Sequence, residues 1–462
     1  MEVFTSDIKY LKRNEKLSFK DEKENSLTHK LIIGDNYPAL KNLLLTHRHK
    51  VDVIYIDPPY GSDSMGKFAE TNYQNNITRD NLLSMLYPRL LLSKQLLSDN
   101  GIIFCSIDNK NYAYIKCLFD EIFGEKNYVS TLNWKKKKQP SFLSVVAEVI
   151  EYVLVYTKTP GSIKKLSIET LGDEDKPIIN SSNEYSERLI KKGCSAKCED
   201  GIIPKGIIKN KTMSIEFLDD VCIKNGEVIN DFRCKAKFRT TQENINEFCD
   251  DKLIFVTKNY GLRRYLTKEE INSKKSITDL LLDWGQNQDG TKELKEIFNI
   301  KDDTFIFSNP KPVLLIKNII KSVGGSEVTV LDFFAGSGTT GQAVLELNKE
   351  DGGNRQFILC TNNEKEDGYI AETVTSKRLK RVMTGSCYDG NTDFEWIKKN
   401  EPYGDNLEVF DIAEVSANIS DGGTSPFDVI DETCYDKKFD NIQDKIDWIC
   451  NNFQGLTKKL ED

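Results

Sequence analysis

From residue 29 onward the apolar positions fall into two periods. Residues 30–33 predict a short strand closed by Gly34-Asp35-Asn36, and Pro38 opens a helix with Leu40, Leu43 and Leu44 on its apolar face. A proline suits the first turn of a helix because the amide it lacks would have no partner there. Residues 51–56 read V-D-V-I-Y-I, β-branched and nearly unbroken, which predicts a strand covered on both faces as in a parallel sheet. Asp57-Pro58-Pro59-Tyr60 stops it. Residues 82–97 predict a leucine-rich amphipathic helix, and 101–107 and 153–156 two more buried strands. Strand, helix and strand at this spacing predict an α/β fold.

The pattern then loosens. Residues 161–300 are irregular, polar and lysine-rich. Parallel-sheet character returns with a strand at 328–333, a tight loop at Ala335-Gly336-Ser337-Gly338 and a helix at 339–347. A strand at 356–361 and a helix at 369–383 follow; the second half of that helix is basic (Lys377, Arg378, Lys380, Arg381). The expected division is a loose N-terminal arm (1–28), a first α/β half (29–160), a middle region (161–300), a second α/β half (301–400) and an acidic tail (401–462) with a strand at 407–412. No internal repeat is visible.

Composition narrows the class. The 462 residues carry 64 Lys and Arg against 72 Asp and Glu, with 39% apolar residues, which is globular and neither collagen-like nor disordered. No apolar run approaches the roughly 20 residues of a membrane helix, and the N-terminus has no apolar signal core. Eleven scattered cysteines suit reduced thiols and a cytoplasmic protein. Charge is unevenly spread: residues 133–275 hold 27 Lys and Arg against 21 Asp and Glu, in a chain whose total is -8. The middle region is therefore expected to meet a polyanion.

Five groupings could carry chemistry. In Asp57-Pro58-Pro59-Tyr60 the prolines stiffen the turn, a carboxylate and free carbonyls can accept N–H bonds, and Tyr60 offers a ring. That set suits a planar amine; the bland reading is a rigid turn with a solvated Asp57. Asp332 to Thr339 (D-F-F-A-G-S-G-T) lies between a strand and a helix, at the edge where open α/β sheets bind ligands. It is neither a dinucleotide fingerprint nor a P-loop, and Asp332 could equally hold its own loop. Glu364, just past the next strand, could accept ribose hydroxyls or be an ordinary surface acid. Asn309-Pro310-Lys311-Pro312 starts a helix and could wall a cofactor pocket. Lys135, Lys136, Lys137, Lys138, Arg263 and Arg264 could contact phosphates or simply face solvent. Cys194, Cys198, Cys222, Cys234 and Cys249 fit no tight zinc spacing, and the three histidines are all upstream, so no metal is expected.

Together D-P-P-Y (57–60) and D-F-F-A-G-S-G-T-T (332–340) resemble the two signature motifs of S-adenosylmethionine-dependent DNA amino-methyltransferases. The D-P-P-Y form and the order, catalytic motif first, are similar to the N6-adenine enzymes of the beta class. L-I-I-G-D-N (31–36), L-Y-P-R-L-L-L-S-K-Q-L-L (86–97), G-I-I-F-C-S-I-D (101–108), D-E-I-F-G-E-K-N-Y (120–128), G-T-K-E-L-K-E-I-F (290–298) and N-P-K-P (309–312) resemble modification subunits of type III restriction systems. The resemblance covers roughly 30–160 and 285–385. The chain is short for such a subunit, which keeps a type II or solitary enzyme in view.

The resemblance implies a Rossmann-like, mostly parallel α/β methyltransferase sheet, circularly permuted, with 161–300 inserted as a target recognition region. It implies methyl transfer to N6 of an adenine flipped out of double-stranded DNA, in a restriction-modification system. Asp57, Pro58, Pro59 and Tyr60 would then be catalytic. Asp35, Lys311, Asp332, Phe333, Ala335, Gly336, Gly338 and Glu364 would line the S-adenosylmethionine pocket. A homodimer and a restriction endonuclease partner follow from the same resemblance. Rivals are an N4-cytosine enzyme, a methyltransferase for RNA or a protein amide, and a non-catalytic DNA-specificity subunit.

Overall fold

The computed structural model describes residues 7–21, 23, 26–60, 79–139, 145–170, 172, 174–209, 214–300, 307–365, 368–416 and 425–457. Two compact units emerge: one from the chain up to Leu166 and from Ile277 onward, the other Ser167–Ser276.

The larger unit is built on a ten-stranded sheet. Its strands are β1 (Asp7–Arg13), β2 (Thr28–Ile33), β3 (Val51–Ile56), β4 (Leu97–Ile107), β5 (Tyr128–Lys135), β6 (Ile150–Thr157), β7 (Leu280–Leu281), β8 (Thr329–Asp332), β9 (Gln356–Thr361) and β10 (Asn406–Ser416). The order across the sheet is β1-β10-β2-β9-β8-β3-β4-β6-β5-β7. From β10 to β4 all neighbours are parallel; the β5–β6 hairpin and β1 are antiparallel. Ile32, Val53, Ile54, Ile56, Ile103, Leu331 and Leu359 are buried, as the unbroken apolar runs of a doubly covered sheet require. The covering helices are α1 (Asn36–His47), α2 (Arg79–Leu96), α3 (Tyr112–Phe123), α4 (Asn287–Phe298), α5 (Val313–Val323), α6 (Thr339–Asp351), α7 (Ser376–Thr384) and α8 (Ile442–Thr457). Here α1 packs on α2, and α5 on α6. This is a Rossmann-like, mostly parallel sheet.

The connections locate a ligand edge. From β3 the chain runs through α2 to β4, its neighbour on one side; from β8 it runs through α6 to β9, its neighbour on the other. β3 and β8 are themselves parallel neighbours, with Val330 opposite Val53 and Leu331 opposite Ile54. The winding therefore reverses between them, and such a switch point opens a crevice at the carboxyl ends of the two strands. Asp57 leaves β3 and Phe333 leaves β8 at that crevice.

Both ends of the chain correct the sequence reading. The expected loose arm contains β1, whose Ile8, Tyr10 and Leu11 are buried, paired along its length with β10. The expected tail supplies β10, an inner strand, and α8, whose Ile449 and Phe453 join the core with Tyr435. The hydroxyl of Tyr435 donates to Asn42 Oδ1 at 2.6 Å and accepts from Leu11 N at 2.8 Å. The strand expected at 407–412 is there as part of β10; what the sequence reading missed is that the charged residues interleaved in β1 and β10 share these elements with buried apolar ones.

The smaller unit has its own apolar core, including Ile190, Phe217, Val221, Phe232 and Ile254. Residues 201–203, 221–224, 227–228, 195–196, 254–256, 262–265 and 175–177 form one sheet in that order, and 206–209, 214–217, 232–236 and 186–190 a second. Strands of two to five residues leave little periodicity, hence the irregular appearance of the sequence. Its limits are narrower than the expected 161–300: β7 and α4 return to the larger unit.

Candidate active site

β3 runs from Val51 to Ile56 and delivers Asp57 at its carboxyl end. Pro58 is buried, and Asp57 keeps 28% of its side chain exposed. The hydroxyl of Tyr60 lies 2.9 Å from Asp57 Oδ1 and 2.8 Å from Glu151 Oε1, so one proton faces two carboxylates. Lys311 Nζ reaches Asp57 Oδ1 at 3.2 Å, Tyr60 Oη at 3.0 Å and Glu151 Oε1. The three ammonium protons of Lys311 thus meet three acceptors. Lys311 also sits over the rings of Tyr60 and the buried Trp134, 5.5 and 5.6 Å from their centroids. Lys136 Nζ approaches Glu151 Oε2 at 3.4 Å from the other side.

The ionisations follow from burial and these charges. Burial pushes Asp57 above the ordinary carboxylate range; Lys311 opposes this and Glu151 adds to it. Burial would also raise Glu151, but Lys311 and Lys136 outweigh it and hold Glu151 below its usual value. Burial disfavours the Lys311 charge, yet the two carboxylates overcome it and keep the ammonium charged.

The second loop is held from within and behind. Asp332, 2% exposed, accepts from Phe334 N at 3.0 Å and from Thr340 Oγ1 at 2.5 Å, which closes the loop on itself. Burial pushes its carboxyl up to about 7. Gly336 and Gly338 have φ of +49° and +80°, a region costly for residues with a Cβ. Gly338 caps α6. Thr375 Oγ1 donates to Gly336 O at 2.5 Å. Arg378, fully buried, donates from Nη1 to Thr339 Oγ1 at 2.8 Å and Ser337 Oγ at 3.1 Å, and from Nε to Gln342 Oε1 at 2.9 Å. Gln342 in turn donates to Glu293 Oε1 at 2.6 Å.

Several of the expected residues also make contacts within the fold. Asp35 is the N-cap of α1, accepting from Tyr37 N at 2.9 Å and pairing with Arg89 at 2.7 Å. Its neighbour Asn36 donates to Phe333 O at 2.7 Å and so ties the start of α1 to the second loop. Glu364 is exposed, three residues beyond β9. Lys311 joins the Asp57 cluster, placed by a helix contact: a Cβ on Gly290 of α4 would fall 2.3 Å from Pro310 O, so only glycine lets α4 approach N-P-K-P. Lys137 and Lys138 are exposed, while Lys136 turns inward. Arg263 and Arg264 do not present free guanidinium groups. Arg263 is paired with Asp175, and Arg264, 5% exposed, makes a two-pronged pair with Glu270. Among the described residues no group of three or more His, Cys, Asp and Glu is placed to hold a metal ion. Glu151, Asn36, Arg89, Thr375 and Arg378 were not among the expected site residues. A carboxylate opening an otherwise apolar strand, E-Y-V-L-V-Y, was the one local hint of Glu151.

Comparison with known proteins agrees with this geometry. A family model described as DNA methylase, covering N6 and N4 enzymes, matches residues 51–374, and the chain belongs to that family. It is 31% identical over 435 residues to the type III restriction-modification enzyme StyLTI Mod subunit of Salmonella typhimurium, covering 84% of this chain and 64% of the relative. Against the EcoP15I Mod subunit of Escherichia coli it is 27% identical over 400 residues, covering 77% and 62%. Against the type II methyltransferase M.KpnI of Klebsiella pneumoniae it is 28% identical over 360 residues, covering 73% and 82%. The chain thus spans under two thirds of the two Mod subunits.

Proposed function

We propose that this chain transfers a methyl group from S-adenosylmethionine to N6 of an adenine in double-stranded DNA, at a specific site, within a restriction-modification system. One observation carries the reading: the Asp57-Pro58-Pro59-Tyr60 corner and the 333–338 loop leave adjacent parallel strands at the switch point of the sheet. The residues fit the methyl donor. The second loop is glycine-lined, with positive φ at Gly336 and Gly338 that glycine adopts without strain, and Glu364 follows the next strand as an exposed carboxylate able to accept ribose hydroxyls. S-adenosylmethionine supplies an electrophilic sulfonium methyl when bound there.

The chain's own residues do the rest. An adenine amine is inaccessible inside the duplex, so the base is extruded at a cost of a few kcal/mol. Tyr60, its hydroxyl pinned by carboxylates, offers a fixed ring face in place of the lost stack. Both described contacts of the Asp57 carboxylate fall on Oδ1, so Oδ2 is the oxygen we assign to the first amine hydrogen. The carbonyl of Pro58 takes the second. Two acceptors off the ring plane draw the amine toward a tetrahedral form, which turns its lone pair out of conjugation and toward the methyl, and the gain is positional and electrostatic. Lys137 and Lys138 suit phosphates, and the unit Ser167–Ser276 suits target reading. A homodimer and an endonuclease partner belong to the same proposal, as does a cytoplasmic setting. No helix among the described residues is long and apolar enough to cross a membrane.

The test is incorporation of tritiated methyl from S-adenosylmethionine into unmethylated genomic DNA, followed by nucleoside analysis. N6-methyladenine is expected. N4-methylcytosine would replace the substrate assignment, and label in neither base would overturn the reading.

A further inference from the structure

Glu151 has no part in the chemistry derived above, yet it is 2% exposed and lies at the centre of the charged cluster. Burying a carboxylate is costly unless it is paired and hydrogen-bonded. Here the pairing is complete: Lys311 and Tyr60 on Oε1, Lys136 on Oε2. Lys311 and Tyr60 are also the two described partners of the Asp57 carboxylate. Every one of these contacts with Asp57 is therefore shared with Glu151.

We propose that Glu151 is a positioning residue for methyl transfer, acting through Lys311 and Tyr60 to fix the orientation and charge of the Asp57 carboxylate. This rests on the methyltransferase reading above. Without Glu151, the Lys311 ammonium and the Tyr60 proton would both turn fully to Asp57, and the acceptor meant for the substrate amine would be spent on protein donors. With Glu151 in place their attraction is divided, and Asp57 keeps basicity to offer an incoming N–H.

The remaining groups around Asp57 are accounted for. Tyr55 on β3 and Cys105 on β4 are buried and kept neutral, each pushed up first by burial and then by Asp57. Asp332 at the end of β8 titrates near 7 and feels the Asp57 charge. Lys136, on the hairpin side, faces Glu151 rather than Asp57. Glu151 and Lys311 therefore dominate the field at Asp57, with opposite signs.

Opposite signs give a test that a purely structural role would not pass. Glu151→Gln keeps the shape and removes the charge. Asp57 should become a stronger acid, so the acid limb of the single-turnover methyl-transfer rate should move to lower pH, with a plateau about tenfold slower. Lys311→Met should move the limb to higher pH. The Asp57 carboxyl, followed by 13C NMR in the free protein and assigned by its loss in Asp57→Asn, should titrate lower in Glu151→Gln than in wild type. An unmoved NMR midpoint in Glu151→Gln, or limbs moving the same way in both variants, would overturn the inference. If wild type transfers no methyl group, the proposed function fails, while the NMR titration of the folded Glu151→Gln variant still decides the role of Glu151.

Discussion

Lys311 donates to Asp57 Oδ1 across 3.2 Å, although the two residues come from opposite halves of the chain. Asp57 directly follows β3, and Lys311 lies just before α5, whose apolar face is buried. A lysine at this depth is stable only because two carboxylates face it, and Asp57 stays charged only because the lysine is there. The acceptor of the proposed reaction is thus set by a long-range ion pair.

Removal of that acceptor should be decisive. Asp57→Ala should abolish methyl transfer while largely sparing S-adenosylmethionine affinity, because Asp57 lies on the corner opposite the glycine loop. Isothermal titration for the donor and tritium incorporation for the product separate the two. Wild-type transfer by the variant would exclude the assigned role.

The pH dependence has a defined sign. Burial raises Asp57 above the ordinary carboxylate range, and the charged form is the one that accepts the amine. Activity should therefore be present above that raised value and fall as pH drops through it, at higher pH than an exposed aspartate would give. A rate flat down to the range of an exposed carboxylate would contradict this.

Tyr60 combines two separable contributions. Tyr60→Phe removes the hydroxyl held between Asp57 and Glu151 and should slow transfer several-fold. Tyr60→Ala also removes the ring, a further loss of about 1–3 kcal/mol if it stacks on the extruded base. Equal losses in the two variants, measured in single turnovers, would argue against stacking.

Asp332 predicts a stability effect. Its folded carboxyl titrates near 7, well above an unfolded aspartate. A raised value means that the folded state holds the proton more tightly. The stabilisation is complete below the unfolded value, about 3.9, and is lost as pH rises through about 7. In thermal unfolding, the advantage of wild type over Asp332→Asn should therefore be larger at pH 5 than at pH 8. A constant difference would show that Asp332 is ionised throughout.

The basic residues should separate by burial. Lys137→Ala with Lys138→Ala should leave the melting temperature unchanged and reduce the salt slope of DNA binding by about one per lysine. Arg264 packs over the Phe248 ring at 4.2 Å and pairs with Glu270, which caps the helix Lys268–Ile271. Arg264→Ala should destabilise the smaller unit by about 2–3 kcal/mol, with the salt slope preserved. The reverse pattern would restore Arg264 as a phosphate contact.

Local sequence determined the buried strands β3, β4, β8 and β9, the proline-stiffened corner after Asp57 and the glycine turn after Asp332. Each rests on a short-range rule: β-branched runs favour doubly covered strands, and Pro or Gly restricts or frees φ at one residue. Tertiary structure alone decided what the charged residues do. Glu151, Arg264 and Arg378 look like surface positions in the chain, yet each is buried beside a partner supplied by another segment. The strand β1 likewise gains its cover from α8 and its hydrogen-bonded partner from β10. Hydrophobic period is a property of neighbours along the chain, whereas the charge state of a buried group depends on neighbours in space.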